Sequence, residues 1–398
     1  LTKIKLKSSV LDFTSKHVLT YNINETQKLI SGLEWNSYVF YPGNYTSKNL
    51  NLAFDFVPER NNSYQNHVAS AFTQYYKTYN NVNINIGLRA SNYIFNQQSH
   101  LKIEPRASIK YNFNPQTSLS FAYTKMNQSM HLLSQNNQNL PFDVWLPSHQ
   151  NIKPQQSNQF ALDFNHLSTS KKYHFSFATY YKNSLNLIEF KPEKSLIGTI
   201  NEDLFDLIEY GGIGRNYGFE FKAEKNTGKI KGFTSYTWAK NQRKFDNLNN
   251  GNWFDAMFDK RHSLSINIYY PLTKKWEVSS TFIAHSGLPF TAPTALIEGV
   301  NGELTMVFES LNNARTPVYH RMDVSFKKSY ISKKGRSKEL SFGAYNLYHR
   351  INPYFVNLSR NPIYASTAQN APIIAENYSF KAYTLLGFVP FIHYKVNF

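Results

Sequence analysis

A chain of 398 residues with 28 Tyr, 31 Phe and 5 Trp carries only 17% charged residues and no Cys, and its 43 Lys+Arg against 26 Asp+Glu leave it at +17. The aromatic content excludes a disordered chain, the lack of Cys excludes disulfide scaffolds, thiolate metal sites and cysteine nucleophiles, and no run approaches the ~20 apolar residues of a membrane-crossing helix. The positive balance points to nucleic acid, an anionic membrane surface or anionic ligands.

The first strand is expected over residues 9–21, and strict alternation dominates from residue 82 onward. Val82, Ile84, Ile86, Leu88 and Ala90 alternate with Asn83, Asn85, Gly87, Arg89 and Ser91. Next, Leu101, Ile103, Pro105, Ala107, Ile109, Tyr111 and Phe113 alternate with Lys102, Glu104, Arg106, Ser108, Lys110 and Asn112. Leu119, Phe121 and Tyr123 follow, then Tyr173, Phe175, Phe177 and Tyr181, then Leu264, Ile266, Ile268 and Tyr270, then Trp276, Val278 and Phe282. Successive side chains of a strand point to opposite faces, so each strand has one apolar and one polar or ionic face.

A soluble sandwich also alternates, but these runs exceed the ~5–6 residues of a typical soluble strand. Short connections fall near residues 24–26, 78–81, 114–116, 169–171, 226–228, 272–274 and 332–337. Long ones fall near 41–65, 133–152, 191–207, 243–258, 289–314 and 352–384, with 96–100 a brief member of that set. Short turns at one rim and long loops at the other mark an outer-membrane barrel, and lipid admits only helices or closed barrels. The expected fold is therefore all-β: a transmembrane antiparallel up-and-down β-barrel. Ile84, Leu88, Ile103, Ile109, Phe121, Phe175 and Ile266 should face lipid. The C-terminus ends in the same manner, with Ile392, Tyr394, Val396 and Phe398 forming the apolar face of a final strand suited to the barrel-insertion machinery. Turn parity counts about 15–16 strands, and an odd count running between opposite rims implies further strands before residue 1.

From about Gly32 to Phe398 the sequence resembles the barrel domain of TonB-dependent outer-membrane receptors, in the form common in Bacteroidota. The resemblance is carried by Gly87-Leu88-Arg89 with Tyr93, by Glu104-Pro105-Arg106, and by the loop from Pro141 through Val144, Trp145 and Leu146 to Pro147. It continues through Gly218-Phe219-Glu220, Asp259-Lys260-Arg261-His262, Ser286-Gly287-Leu288-Pro289, Asn312-Asn313-Ala314-Arg315 with Tyr319, Arg321 and Asp323, and Tyr345-Asn346-Leu347 with Asn352-Pro353. It implies a barrel of about 22 strands, a plug folded inside the lumen, import of scarce bulky nutrients, and energy delivered by the TonB complex through that plug. Residues 1–398 then form a barrel domain incomplete at its N-terminus, with no plug in view, in the outer membrane of a Gram-negative cell. Expected partners are outer-membrane lipid and lipopolysaccharide, TonB through the unseen plug, and a surface lipoprotein or other outer-membrane subunits. The alternatives are a plugless or accessory barrel subunit of an outer-membrane complex, and an adhesin-like barrel.

Catalytic and metal signatures are missing. The glycines at 211, 212, 214 and 218 have neither dinucleotide-fingerprint nor P-loop spacing, and the 12 His are scattered. His100 and His149 read as solvated loop residues. No enzyme activity, metal or cofactor is expected. The basic cluster Lys327, Lys328, Lys333, Lys334, Arg336 and Lys338 brackets a short turn, where it meets lipid phosphates rather than nucleic acid. The candidate site is the lumen wall: Arg89, Lys102, Arg106 and Lys110, countered by Glu104, form a positive stripe for an anionic ligand or acidic plug residues.

Overall fold

The computed structural model describes residues 2–49, 63–135, 142–191, 204–298, 304–331, 335–364 and 373–397. Pro141, Lys333, Lys334 and Phe398 of the sequence reading lie outside these residues. Fifteen strands form one antiparallel sheet in which each pairs with the next along the chain. They are β1 (Thr2–Asn24), β2 (Gln27–Asn49), β3 (Tyr64–Tyr79), β4 (Val82–Phe95), β5 (Gln98–Asn114), β6 (Thr117–Gln128), β7 (Gln155–Leu167), β8 (Tyr173–Phe190), β9 (Ile208–Lys225), β10 (Lys231–Lys244), β11 (His262–Pro271), β12 (Trp276–His285), β13 (Tyr319–Ile331), β14 (Ser337–Tyr345) and β15 (Val389–Asn397). A two-residue strand, Phe254–Asp255, also pairs with β10. Among the described residues β1 pairs only with β2, and β15 only with β14.

The burial pattern is the reverse of a soluble sheet. On β5 the apolar face is the open one, with Leu101 66%, Ile103 46% and Ile109 46% exposed, whereas Glu104 on the opposite face is 4% exposed. In water, an apolar stripe of this length would be the buried face. Here it is the face that meets lipid, and the polar face lines the lumen. Leu88, Phe121 and Phe175 are exposed as expected, while Ile84 and Ile266 are half-covered by their neighbours.

Strand length places the loops above the bilayer. β8 has 18 residues, against the ~9–11 that a tilted strand needs to cross the hydrocarbon. Its short-turn half exposes Phe175 and Phe177, and its far end buries Ile188 and Phe190. There the hairpin Met130–Gln135 with Phe142–Pro147 folds back, touching β1, β2 and β3 with one strand and β8 with the other. Leu133, Val144, Leu146, Ile152, Ile188, Phe190, Leu204, Leu207 and Ile208 make an apolar core beneath the long loops. The glycines near 212 belong to a bulge where β9 slips past Leu187 of β8.

Candidate functional site

Midway along the wall, six strands bring polar side chains together on the lumen side. Arg89 of β4 pairs across the sheet with Phe72 of β3 and Glu104 of β5. Its guanidinium makes a two-pronged contact with Glu34 of β2, donating from Nη2 to Oε1 at 3.0 Å and from Nη1 to Oε2 at 3.3 Å. It also donates to Ser70 Oγ at 2.8 Å and Ser91 Oγ at 3.1 Å, and its Nε lies 3.9 Å from Glu104 Oε2. Lys16 of β1 reaches Glu34 at 3.2 Å. The Tyr93 hydroxyl stands 3.0 Å from Glu104 Oε1 and 2.9 Å from the Asn127 carbonyl, and Asn127 Nδ2 donates to the same Glu104 oxygen at 3.2 Å.

Gly32 makes room for this arrangement. A Cβ there would sit 2.6 Å from Phe72 Cζ and 2.5 Å from the His17 carbonyl oxygen, whereas the Phe72 ring now packs beneath both Lys16 and Arg89.

The lumen wall therefore differs in detail from the sequence reading. Besides Glu104, the counter-charge expected from the sequence, Arg89 has a second and closer carboxylate partner in Glu34. The signal was present: Glu34 sits between Leu33 and Trp35, which face outward, so alternation alone turns it inward. Lys102, Arg106 and Lys110 line the inward face of β5, and among the described residues none pairs with a carboxylate. Gly87 lets the Arg106 stem lie against β4, since a Cβ there would come to 3.0 Å from Arg106 Cγ.

A second charge cluster lies at the long-loop rim. Asp255 and Asp259 are bridged by Arg261 Nη2, at 3.1 and 3.2 Å, and by Arg315 Nη2, at 2.6 and 3.2 Å. The Asp259 side chain is fully buried and accepts from the Asn241 backbone N–H at 2.9 Å. Arg315 Nη1 donates to the carbonyls of Asp259 and Gly287, and Asn312 Nδ2 donates to that of Asp255. Asn346 and Asn352 play similar parts further along: the Asn346 N–H donates to Asp323 Oδ1, and Asn352 exchanges two hydrogen bonds with the His320 backbone. Thus many residues that carry the resemblance are fasteners of loops to the rim.

Beneath the loops, His131 is fully buried, with Nε2 3.0 Å from Ser148 Oγ. Burial pushes its imidazole down to about 3, so it is neutral. His100 and His149 are not free loop histidines. His100 lies on β5 with its ring stacked on Phe95, and His149 stacks on Phe205. On the final strand, Ile392, Tyr394 and Val396 pair with Phe342, Leu340 and Lys338 of β14; Ile392 and Tyr394 are exposed on the lipid side.

An inverted sheet with a polar lumen, an apolar outer belt and fastened loops matches one family: residues 6–347 fit TonB dependent receptor-like, beta-barrel. The chain belongs to that family. Barrels of this family are integral to the outer membrane of Gram-negative bacteria, and so is this one. No curated protein matches the chain in sequence. Among solved structures, it is similar to the ferric-catecholate import receptor Fiu from Escherichia coli K12, at 13% identity and TM-score 0.58, covering 88% of this chain and 52% of that one. It is similar to BauA, the ferric preacinetobactin receptor from Acinetobacter baumannii, at 11% identity and TM-score 0.60, covering 100% and 55%. The FrpB iron transporter from Neisseria meningitidis aligns at 11% identity and TM-score 0.55, covering 88% and 51%. The chain spans about half the length of these receptors.

Proposed function

We propose that this chain is the C-terminal part of the barrel wall of a TonB-powered receptor that imports a scarce, bulky nutrient, of the type common in Bacteroidota. The observation that carries the reading is the family match over residues 6–347. The remaining wall and a lumen plug would come from residues outside 1–398, and TonB would act through that plug. Lipopolysaccharide, a surface lipoprotein and other outer-membrane subunits are the further partners this reading allows.

Within the lumen, Lys102, Arg106 and Lys110 present three inward cations four residues, roughly 13 Å, apart along one face of β5. In a confined space of reduced dielectric they hold a positive potential. That favours acidic plug groups or an anionic ligand as the facing partner. Arg89 does not contribute, because Glu34 and Glu104 absorb its charge.

The test is uptake by cells carrying the whole receptor, with and without TonB, across a panel of ferric chelates and other large nutrients. TonB-dependent accumulation of one class is expected. Equal accumulation by the deletion strain, for every compound, would sink the reading. Charge reversal at Lys102 and Arg106 should lower uptake or loosen the plug, more so at low ionic strength.

A further inference from the structure

The outward face of the wall changes character where β12 to β15 reach the short-turn rim. Higher up, that face carries Val278, Phe282, Val324, Phe326, Phe342 and Ile392. At the rim it carries Trp276, Lys328, Tyr330, Lys338 and Tyr394. Trp276 stands opposite Lys328, and Tyr330 opposite Lys338, so these side chains share one face of adjacent strands. The Lys328 ammonium lies 5.3 Å from the Trp276 ring centroid and 5.9 Å from that of Tyr330, and the Lys338 ammonium lies 5.9 Å from that of Tyr394.

The neighbouring cation behaves differently. Lys327 points to the lumen side and is paired with Glu277 at 3.1 Å. Among the described residues, neither Lys328 nor Lys338 has a carboxylate partner. A lysine on the lipid side is costly at the bilayer midplane and tolerated only near the interface. There its stem covers apolar surface while the ammonium reaches the headgroups. Two such ammonium groups held by three aromatic rings, with two phenolic hydroxyls beside them, match a phosphate diester in charge and in donors.

We propose that this cluster is a headgroup site for an anionic phospholipid of the periplasmic leaflet. Its phosphate sits between Lys328 and Lys338, Tyr330 and Tyr394 donate to the free phosphate oxygens, and the acyl chains run along Phe326, Phe342 and Ile392. The site needs the wall to stand in an outer membrane with its short turns in the periplasm, and so rests on the barrel reading above.

The test is native mass spectrometry of the whole receptor refolded in micelles containing equimolar phosphatidylglycerol and phosphatidylcholine. Heat-modifiable migration of the same preparation reports barrel formation separately. Wild type should retain phosphatidylglycerol in about tenfold preference, the equivalent of one charge-assisted contact. The Lys328→Gln/Lys338→Gln variant should lose that preference, and Lys274→Gln/Lys275→Gln, an equal charge change on the same rim, should keep it. Equal retention of the two lipids by wild type, or an unchanged preference in Lys328→Gln/Lys338→Gln, overturns the site while the gel shift leaves the barrel standing. Displacement of the lipid by inorganic phosphate would overturn the assignment to a phospholipid. Retention of lipopolysaccharide over phosphatidylglycerol at this cluster, when both are supplied in the same micelles, would overturn the assignment to the periplasmic leaflet. A protein that shows no gel shift sinks the barrel reading and the site together.

Discussion

The Arg89 cluster of the wall and the Asp259 cluster of the rim use the same ion-pair chemistry and hold different things. Arg89 reaches Glu34 and Glu104 on strands already joined by continuous backbone ladders. Its removal leaves the strand order intact. Asp255 and Asp259 meet Arg315 from a separate loop, and among the described residues the 249–259 and 311–315 segments touch through side-chain hydrogen bonds and the packing of Leu311 on the Phe245, Leu248 and Phe254 cluster, with no backbone ladder between them. At the rim each segment has a two-residue ladder of its own, Phe254–Asp255 on β10 and Ala314–Arg315 on Pro289–Phe290, but none joins the two segments when the ion pairs are lost. The same contact is thus a charge balance in one place and a hinge pin in the other.

The comparison can be broken most directly at Asp259. Asp259→Ala leaves Arg261 and Arg315 facing each other without their buried partner, and should cost about 3–5 kcal/mol of loop anchoring. Limited proteolysis should then cut between residues 245 and 261 while heat-modifiable migration of the barrel persists. Loss of both together would mean that the rim also holds the wall. The lipid face comes next. Ile103→Lys should cost about 2–4 kcal/mol of folding free energy in vesicles if the side chain lies at the midplane, whereas Asn85→Ser on the lumen side should fold as wild type.

Arg89→Ala should cost about 1.5–3 kcal/mol, read from the denaturation midpoint in detergent, with loop proteolysis unchanged. If loop cleavage rises as much as in Asp259→Ala, the distinction between the clusters fails. Acid sharpens the loop side of the comparison. His131 is held near 3 in the folded chain against 6.5 when free, so the unfolded state takes up the proton first. The stability it contributes is whole above the free value and falls as pH drops from there toward the folded one. The loss is about 1.4 kcal/mol per pH unit, or roughly 2 kcal/mol at about pH 5. Hydrogen exchange at Met130–Gln135 should speed up over that interval, and a His131→Phe variant should lose the dependence. The smallest effect belongs to Lys102→Gln, expected within about 0.5 kcal/mol of wild type in stability, because no carboxylate is left behind.

Alternation makes the wall legible in the sequence itself. Leu101 to Phe113 declares its two faces, and the turn spacing separates the short rim from the long one. What alternation does not encode is pairing between strands distant in sequence. Glu34 and Arg89 are 55 residues apart, and whether they meet depends on register across β3. The loops were opaque for a further reason: Asp255, Asp259 and Arg315 carry no periodicity, since side-chain contacts rather than strand geometry place them. The resemblance flagged Asp259 and Arg315 by position without revealing that they meet. His100 was misplaced because the connection before it is a two-residue turn, which puts it on β5 and against Phe95.

The folded-back hairpin acts mechanically as a chord across an arc. It touches β1, β2 and β3 at one end and β8 at the other, with the core of Leu133, Val144, Leu146 and Ile188 compressed between. An arc braced in this way cannot flatten or ovalise at its long-loop end without shearing side chains that are close-packed and nearly incompressible. The unbraced short-turn end has only its hydrogen-bonded ladders to resist hoop strain. Axial load applied from the short-turn side would therefore distort the wall first where it is softest, and the width of the opposite mouth would be set by side-chain volume within the brace.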